Sequence, residues 1–439
     1  METLTQALAA AQQGRGQTFF LAGEAGVGKS RLLTETRSHA AKAGFLTLQG
    51  HCFEPDLTFP YAPFTDALRA VFATRSASDA AAMLGPLAPV LVNLLPELAL
   101  TLPDGVQPSP APDPDVEKRR LFESLAQFFT RLTERQPLLI ILEDIHWSDE
   151  TSLDFLHGFA RRLTAFPILC LASYRDEETT PSLTQLLTRL DRERLAQTIS
   201  LSPLTPTDVE AMIRTIFEQP YRIHSEFLNA IVSLTEGNPF FIEEVLKSLV
   251  EAGDIFYTNG IWDRKPINQL RIPGSVQDSV QRRVAQLSPN SRQVLTLAAV
   301  IGRRFDFTLL QQLADIAEDE LLVVIKEMMA AQLVIEETAD QFAFRHALTR
   351  TAIYNDLLVR ERQTMHRAIA EALEALYPEA EARQAQAANL AIHFYQAADW
   401  KKALAYGRQA GEKMLALYAP HAAVEHFSRA VQAAQAMKL

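Results

Sequence analysis

Cysteine is nearly missing from this chain: only Cys52 and Cys170 occur in 439 residues. They are too far apart for a metal-ligand or redox spacing, so no disulfide framework is implied and they read as two reduced thiols of a cytosolic protein. Long apolar runs are missing as well. The most continuous, 137–142 and 167–172, fall far short of the roughly 20 residues that cross a bilayer. The N-terminus has no basic region followed by an apolar stretch, so neither membrane insertion nor secretion is expected. Positive charge is in deficit, with 42 Lys and Arg against 53 Asp and Glu, a net charge of -11. That balance argues against direct nucleic-acid binding by this segment. What remains is an ordinary globular composition, 48% hydrophobic and 22% charged, in a chain long enough for about three domains.

Against that plain background one octapeptide stands out. Gly23-Glu24-Ala25-Gly26-Val27-Gly28-Lys29-Ser30 fits the phosphate-binding pattern G-x-x-x-x-G-K-[ST]. It follows an apolar strand-like run at 18–22 and precedes a helix-like run at 31–37, the context the chemistry needs. The glycines let the backbone curl around anionic oxygens, and its N–H groups, with the positive end of the following helix, make a concave anion site. Lys29 can reach the β- and γ-phosphates, and the Ser30 hydroxyl can ligate Mg2+. The expected nucleotide-binding set is the whole loop, Gly23 to Ser30, with Arg31 at its end.

The first part of the chain alternates strands and helices. Strands are predicted at 18–22, 45–50, 138–142, 168–173 and 197–201, with a helix over 61–74. Strands this apolar, separated by helical stretches, imply a parallel sheet covered on both faces. Prolines at 103, 108, 110, 112 and 114 mark an exposed loop inside that domain. Beyond Pro203 the pattern turns helical, apart from a hairpin at 255–262 turning on Asn259-Gly260.

A second constellation is the strand Leu138-Leu139-Ile140-Ile141-Leu142, ending in Glu143 and Asp144. Burying the run leaves both carboxylates at the strand's C-terminal end, the edge where parallel sheets gather ligands. There they face the phosphates held by Lys29 and Ser30. One acid can hold Mg2+ and the other can orient or deprotonate the attacking water. The sequence does not decide between the two jobs. If Mg2+ falls to the first acid, Glu143 joins Ser30 at the metal and Asp144 lies nearer the water.

The phosphate loop, the run Leu142-Glu143-Asp144-Ile145-His146-Trp147-Ser148-Asp149, the strand end Ala172-Ser173-Tyr174-Arg175-Asp176-Glu177-Glu178, and Gly237-Asn238-Pro239-Phe240-Phe241-Ile242-Glu243-Glu244 together resemble the STAND branch of the AAA+ related P-loop ATPases. The likeness is to the predicted-ATPase cores of large bacterial regulators, such as the large LuxR-type transcriptional activators and certain multidomain cyclases and kinases. It runs from about residue 1 to the C-terminus, with its strongest motifs between 18 and 245. The resemblance implies a slow, regulatory ATPase with ATP or ADP and Mg2+ as ligands. ADP would hold a closed monomer, and ATP plus an inducer would permit an open form that self-associates and drives a signalling or transcriptional output. On the same resemblance Arg175 is the sensor arginine for the γ-phosphate, Pro239 packs near the adenine, and His346 occupies the place of a histidine that senses the ADP β-phosphate. Plainer roles are open to each. Arg175 can pair with Asp176 or Glu177, Asn238 and Pro239 can simply start a helix, and His346 can be hydrogen-bonded within an interdomain core. For His146 and Trp147 packing is expected rather than catalysis.

Helices over 276–287, 291–301 and 318–331, then short strands at 333–336 and 342–344, suggest a winged helix. Its 318–331 helix carries Glu318, Asp319, Glu320 and Glu327 against only Lys326, which phosphate would repel, so a lid role is expected and not DNA binding. From Ala387 onward small and aromatic residues recur in a pattern resembling tetratricopeptide repeats. The expected fold is thus an α/β P-loop NTPase at 1–202, a helical lid with a small hairpin at 203–272, a winged-helix-like domain at 273–345 and a TPR-like region at 346–439. Leu439 falls inside the helical pattern, and Met1 begins just after the place where the resembled family carries a Gly-Arg-containing adenine contact, so the chain reads as a piece of a longer protein. Two other readings compete: a mechanical or DNA-loading AAA+ ATPase, which needs a ring and an arginine finger from a neighbour, and a scaffold that binds nucleotide without hydrolysing it.

Overall fold

The structure, a computed structural model, describes residues 1–52, 60–72, 75–95, 98, 102, 114–219, 222–258, 261–266, 276–345, 347–417 and 419–437. Five strands, β1 (Gln17–Ala22), β2 (Leu46–His51), β3 (Leu138–Glu143), β4 (Ile168–Ser173) and β5 (Gln197–Ser200), form one parallel sheet in the order β2-β3-β4-β1-β5. Every residue of β3 and β4 is buried, as strands covered on both faces must be. Successive side chains go to opposite faces. Phe19, Leu21, Leu139, Ile141, Leu169 and Leu171 pack against Leu4 and Leu8 of the helix Glu2–Gln12 and Leu33 of the helix Lys29–Lys42. Phe20, Leu138, Ile140, Leu142 and Cys170 pack on the other face with Phe64, Phe128, Phe155 and Phe159. The α/β class therefore follows directly from continuous apolar runs of strand length separated by helical stretches.

Two strand ends differ from the sequence reading in a way that matters. β2 continues through His51 and β3 through Glu143, so the parallel register sets His51 beside Glu143. The prolines from 103 to 112 and the turn Asn259-Gly260 lie outside the described residues; Pro114 opens the helix Pro114–Leu132. The strands flanking that turn, β6 (Ile255–Thr258) and β7 (Ile261–Arg264), pair antiparallel.

After β5 the helices Pro206–Ile216, Ser225–Thr235 and Pro239–Glu251 share a core of Val209, Ile213, Phe227, Ile231, Val245 and Leu249. Next come the helices Val276–Gln286 and Pro289–Ile301, strand β8 (Arg304–Asp306), the helices Phe307–Ala314 and Glu318–Ala330, and strands β9 (Val334–Glu336) and β10 (Gln341–Phe344). The three strands form an antiparallel sheet in the order β8-β10-β9. β8 has no signal in the sequence, because three residues are too few to show a period and only pairing with β10 makes them a strand. The C-terminal helices Ala387–Gln396, Trp400–Ala416 and Pro420–Ala436 pack in succession. Phe394 stacks on Tyr406 with ring centroids 5.7 Å apart, and Gly411 lets the Phe427 ring lie where a Cβ would come within 2.5 Å of it. Among the described residues no helix is long and apolar enough to cross a membrane.

Candidate active site at the C-terminal edge of the parallel sheet

Four consecutive neighbours in the sheet deliver the site. β1 runs into the phosphate loop, β3 ends on Glu143, β4 leads to Arg175, and β2 ends on His51. The loop closes on Gly28, which caps the helix Lys29–Lys42 from the left-handed region at φ 110°, a conformation glycine adopts without a steric cost. Gly26 sits at φ 83°, and a Cβ there would lie 2.8 Å from both Asn238 Oδ1 and Phe240 Cβ. The loop is packed that tightly because Asn238 Nδ2 donates to Ala25 O at 2.9 Å and Phe240 N donates to Gly26 O at 3.3 Å. Pro239, between them, is the first residue of the helix Pro239–Glu251, and Asn238 caps it. The helix-starting role of the Asn-Pro pair is thus present, and the same pair clamps the phosphate loop.

Lys29 is buried, and its Nζ donates to Gly23 O at 2.6 Å and to Glu24 O at 2.8 Å. Burial lowers its pKa; Asp144 pulls it up and Arg175 down, which places both groups in the field of the ammonium. Ser30 Oγ donates to Glu143 Oε2 at 2.8 Å, while Glu143 Oε1 accepts from Gln49 Nε2 at 2.7 Å and lies 3.4 Å from His51 Nε2. Burial would raise the Glu143 pKa, but the hydrogen bond and charge of His51, the Ser30 hydroxyl and the charge of Arg303 bring it down to about 2. Glu143 is therefore a carboxylate at neutral pH. Burial also lowers the pKa of His51, an effect outweighed by its bonds to Asp66 and Glu143, which raise it on balance. Asp66 Oδ2 accepts from His51 N at 3.0 Å and lies 3.1 Å from Nδ1.

Asp144 leaves the strand through the left-handed region, φ 56° and ψ 42°, and its N–H donates to Ser173 Oγ at 3.2 Å. That turn separates the two acids: Glu143 faces Ser30, and Asp144 Oδ2 accepts from Arg303 Nη1 at 2.6 Å. Arg175 lies with its guanidinium 4.9 Å from the Trp147 ring centre and donates to Glu178 Oε1 at 2.5 Å, so its carboxylate partner is neither Asp176 nor Glu177. Glu177 instead reaches the phosphate loop, accepting from Ala25 N at 3.0 Å. His146 is buried against Trp147, ring centres 4.5 Å apart, and burial pushes its pKa down to about 4. Its Nε2 lies 3.2 Å from Glu178 Oε2, a neutral ring beside a carboxylate. Arg31 points away, exposed and paired with Glu35 at 2.8 Å. His346 lies outside the described residues.

The edge therefore gathers Lys29, Ser30, Glu143, Asp144 and Arg175, and leaves Arg31 out. Sequence reasoning missed Gln49, His51, Asp66, Glu177 and Arg303. A hydroxyl and an ionised carboxylate in direct contact are hard oxygen donors, the type that suits Mg2+. Beside them a cation and a left-handed glycine open a helix N-terminus, the geometry that holds phosphate.

The family model of the AAA ATPase domain matches residues 1–171. An uncharacterized protein of Rhizobium meliloti (strain 1021) is 25% identical over 376 residues, 81% of this chain and 34% of that protein. The hybrid signal transduction histidine kinase G of Dictyostelium discoideum is 22% identical over 131 residues, 29% of this chain and 4% of that protein. The chain thus spans about a third or less of the curated relatives it matches. Among solved structures, a signal transduction ATPase with numerous domains (STAND) with a tetratricopeptide repeat sensor, from Pyrococcus horikoshii, is 11% identical and covers 99% of this chain and 64% of its own, with a TM-score of 0.47. Residues 1–171 are thus similar to the AAA ATPase domain family, a P-loop class like the one the sequence motifs resemble.

Proposed function

We propose that this chain is the nucleotide-operated core of a STAND-type regulatory switch, which binds ATP, hydrolyses it slowly to ADP and phosphate, and passes the nucleotide state to a signalling output through movement of its lid. The observation that carries the reading is the Ser30 hydroxyl on Glu143 Oε2 at 2.8 Å, beside Lys29. It joins the two expected Mg2+ ligands at the mouth of a phosphate loop. Lys29, the loop N–H groups and the helix N-terminus hold the phosphates, Ser30 and Glu143 hold the metal, and Asp144 orients the attacking water and takes its proton. Bound Mg2+ would neutralise charge on the phosphates. Arg175, two residues beyond β4, reports the γ-phosphate, and Asn238 and Pro239 link the loop to the lid.

In this reading residues 1–202 are the ATPase domain, 203–272 the lid, 273–345 a winged helix and 346–439 a TPR-like region. The helix–strand–helix–helix–strand–strand order around β8, β9 and β10 supports the third assignment, and the succession of small-residue helices supports the fourth. Two matched relatives are named as histidine kinases, the hybrid signal transduction kinase of Dictyostelium discoideum and a peroxide stress-activated kinase of Schizosaccharomyces pombe, which favours a signalling role. The cytoplasm, an inducer and ATP-dependent self-association complete the proposal. Its test is Mg2+-dependent ATP turnover. Lys29→Ala should weaken nucleotide binding by about 10- to 100-fold, the worth of one charge-assisted hydrogen bond. Glu143→Gln and Asp144→Asn should bind ATP and fail to turn it over; normal turnover in both would overturn the catalytic assignment.

A further inference from the structure

The turn between the helix Pro289–Ile301 and β8 sends two consecutive arginines across to the nucleotide edge. Arg303 Nη1 donates to Asp144 Oδ2 at 2.6 Å. Arg304 Nη1 donates to Asp66 Oδ2 at 3.1 Å, and its Nη2 lies 2.8 Å from His51 Nδ1. Behind it, Arg304 Nε is 2.5 Å from Glu337 Oε2, an acid that follows β9 in its own unit, so the guanidinium is braced before it reaches across. All three targets serve the acid pair. Asp144 is one of the acids, His51 approaches the other, Glu143, at 3.4 Å, and Asp66 fixes the His51 ring.

We propose that Arg303 and Arg304 are a latch through which the unit at 289–344 holds ATP hydrolysis down: while it is docked, Arg303 occupies the carboxylate oxygen that the attacking water needs. The inference rests on the ATPase reading and adds to it a positioning pair outside every motif of the sequence. A guanidinium held at this distance from Asp144 Oδ2 fills the approach that the attacking water needs to that oxygen. Turnover then requires the arginines to withdraw. Because both sit on one turn, they leave together, and whatever loosens that unit releases Asp144 and the His51–Asp66 pair in one step.

The test compares wild type, Arg303→Gln, Arg303→Lys and Arg304→Gln in the full chain, with Lys29→Ala as the control for authentic turnover. Arg303→Gln should raise kcat roughly tenfold, about the effect of losing one charge-assisted hydrogen bond, and leave KM for ATP within about twofold. Arg303→Lys should stay near wild type, and Arg304→Gln should raise kcat by less. An unchanged kcat in Arg303→Gln overturns the latch. A reduced kcat also overturns it and makes Arg303 a group that assists the phosphates. Hydrogen exchange over 140–150 and 300–306 supplies a readout independent of catalysis, and Arg303→Gln should speed it in both segments. If no variant shows Lys29-dependent turnover, the ATPase reading fails, and unchanged exchange would separately overturn the docking role of the arginines.

Discussion

Replacing Glu143 by Gln should cost stability in a pH-dependent way that can be worked from its surroundings. The carboxylate accepts hydrogen bonds from Ser30 and Gln49 and faces His51, and these hold its pKa at about 2 against a usual 4.5. A difference of that size is about 3 kcal/mol in favour of the charged form. The folded pKa is depressed, so the contribution is complete above the unfolded value and is lost as pH falls through the folded one. Gln is close in shape and always neutral, so wild type should exceed Glu143→Gln by about 3 kcal/mol near neutral pH, and the gap should narrow by about 1 kcal/mol between about pH 5.5 and pH 3.5. Urea unfolding read by Trp147 fluorescence, with Trp262→Phe and Trp400→Phe in both proteins, follows the core that covers the parallel sheet. A gap that stays constant across that pH range would refute the reasoning, because the lost stability would then owe nothing to the charge of Glu143.

Gly26→Ala should destabilise by about 1–3 kcal/mol and weaken nucleotide binding, since φ 83° and contacts at 2.8 Å to Asn238 and Phe240 leave no room for a Cβ; urea unfolding and nucleotide titration measure both, and wild-type stability would count against the clamp. Glu177→Gln should bind ATP roughly three- to tenfold more tightly, because its carboxylate competes with phosphate for the Ala25 N–H; unchanged affinity would dismiss that competition. Asp149 caps the helix Glu150–Leu163 from a buried position, and burial pushes its pKa up to about 6. Wild type should therefore lose stability as pH rises from about 4 to about 6, while Asp149→Asn, which keeps a capping oxygen, should be flat over that window. A parallel slope in the two proteins would contradict the assignment.

The sheet and the phosphate loop were legible because their signals are local. An apolar run of strand length, a glycine pattern and a helix start need only their own residues. Glu143 and Asp144 were legible for the same reason, as acids at the end of a buried run. Their separation was not, because it depends on Asp144 turning through positive φ and on Arg303, 159 residues away, meeting it. His51 was hidden by one residue of strand length: ending β2 at Gly50 conceals the parallel register that sets His51 against Glu143. A register argument would have found it. Arg31 was placed with the phosphates by adjacency alone, yet one further residue along a helix turns the side chain about 100° away from its neighbour, and it reaches Glu35. Arg304 had no legible signal, since β8 exists only through its pairing with β10.

The central claim, a switch that holds nucleotide and hydrolyses it slowly, is tested most directly by identifying the nucleotide released when the purified protein is denatured and then following ATP turnover after exchange. The account predicts retained ADP in about one-to-one ratio, followed by slow turnover that Lys29→Ala abolishes. A nucleotide-free protein that neither takes up ATP nor depends on Lys29 would contradict it.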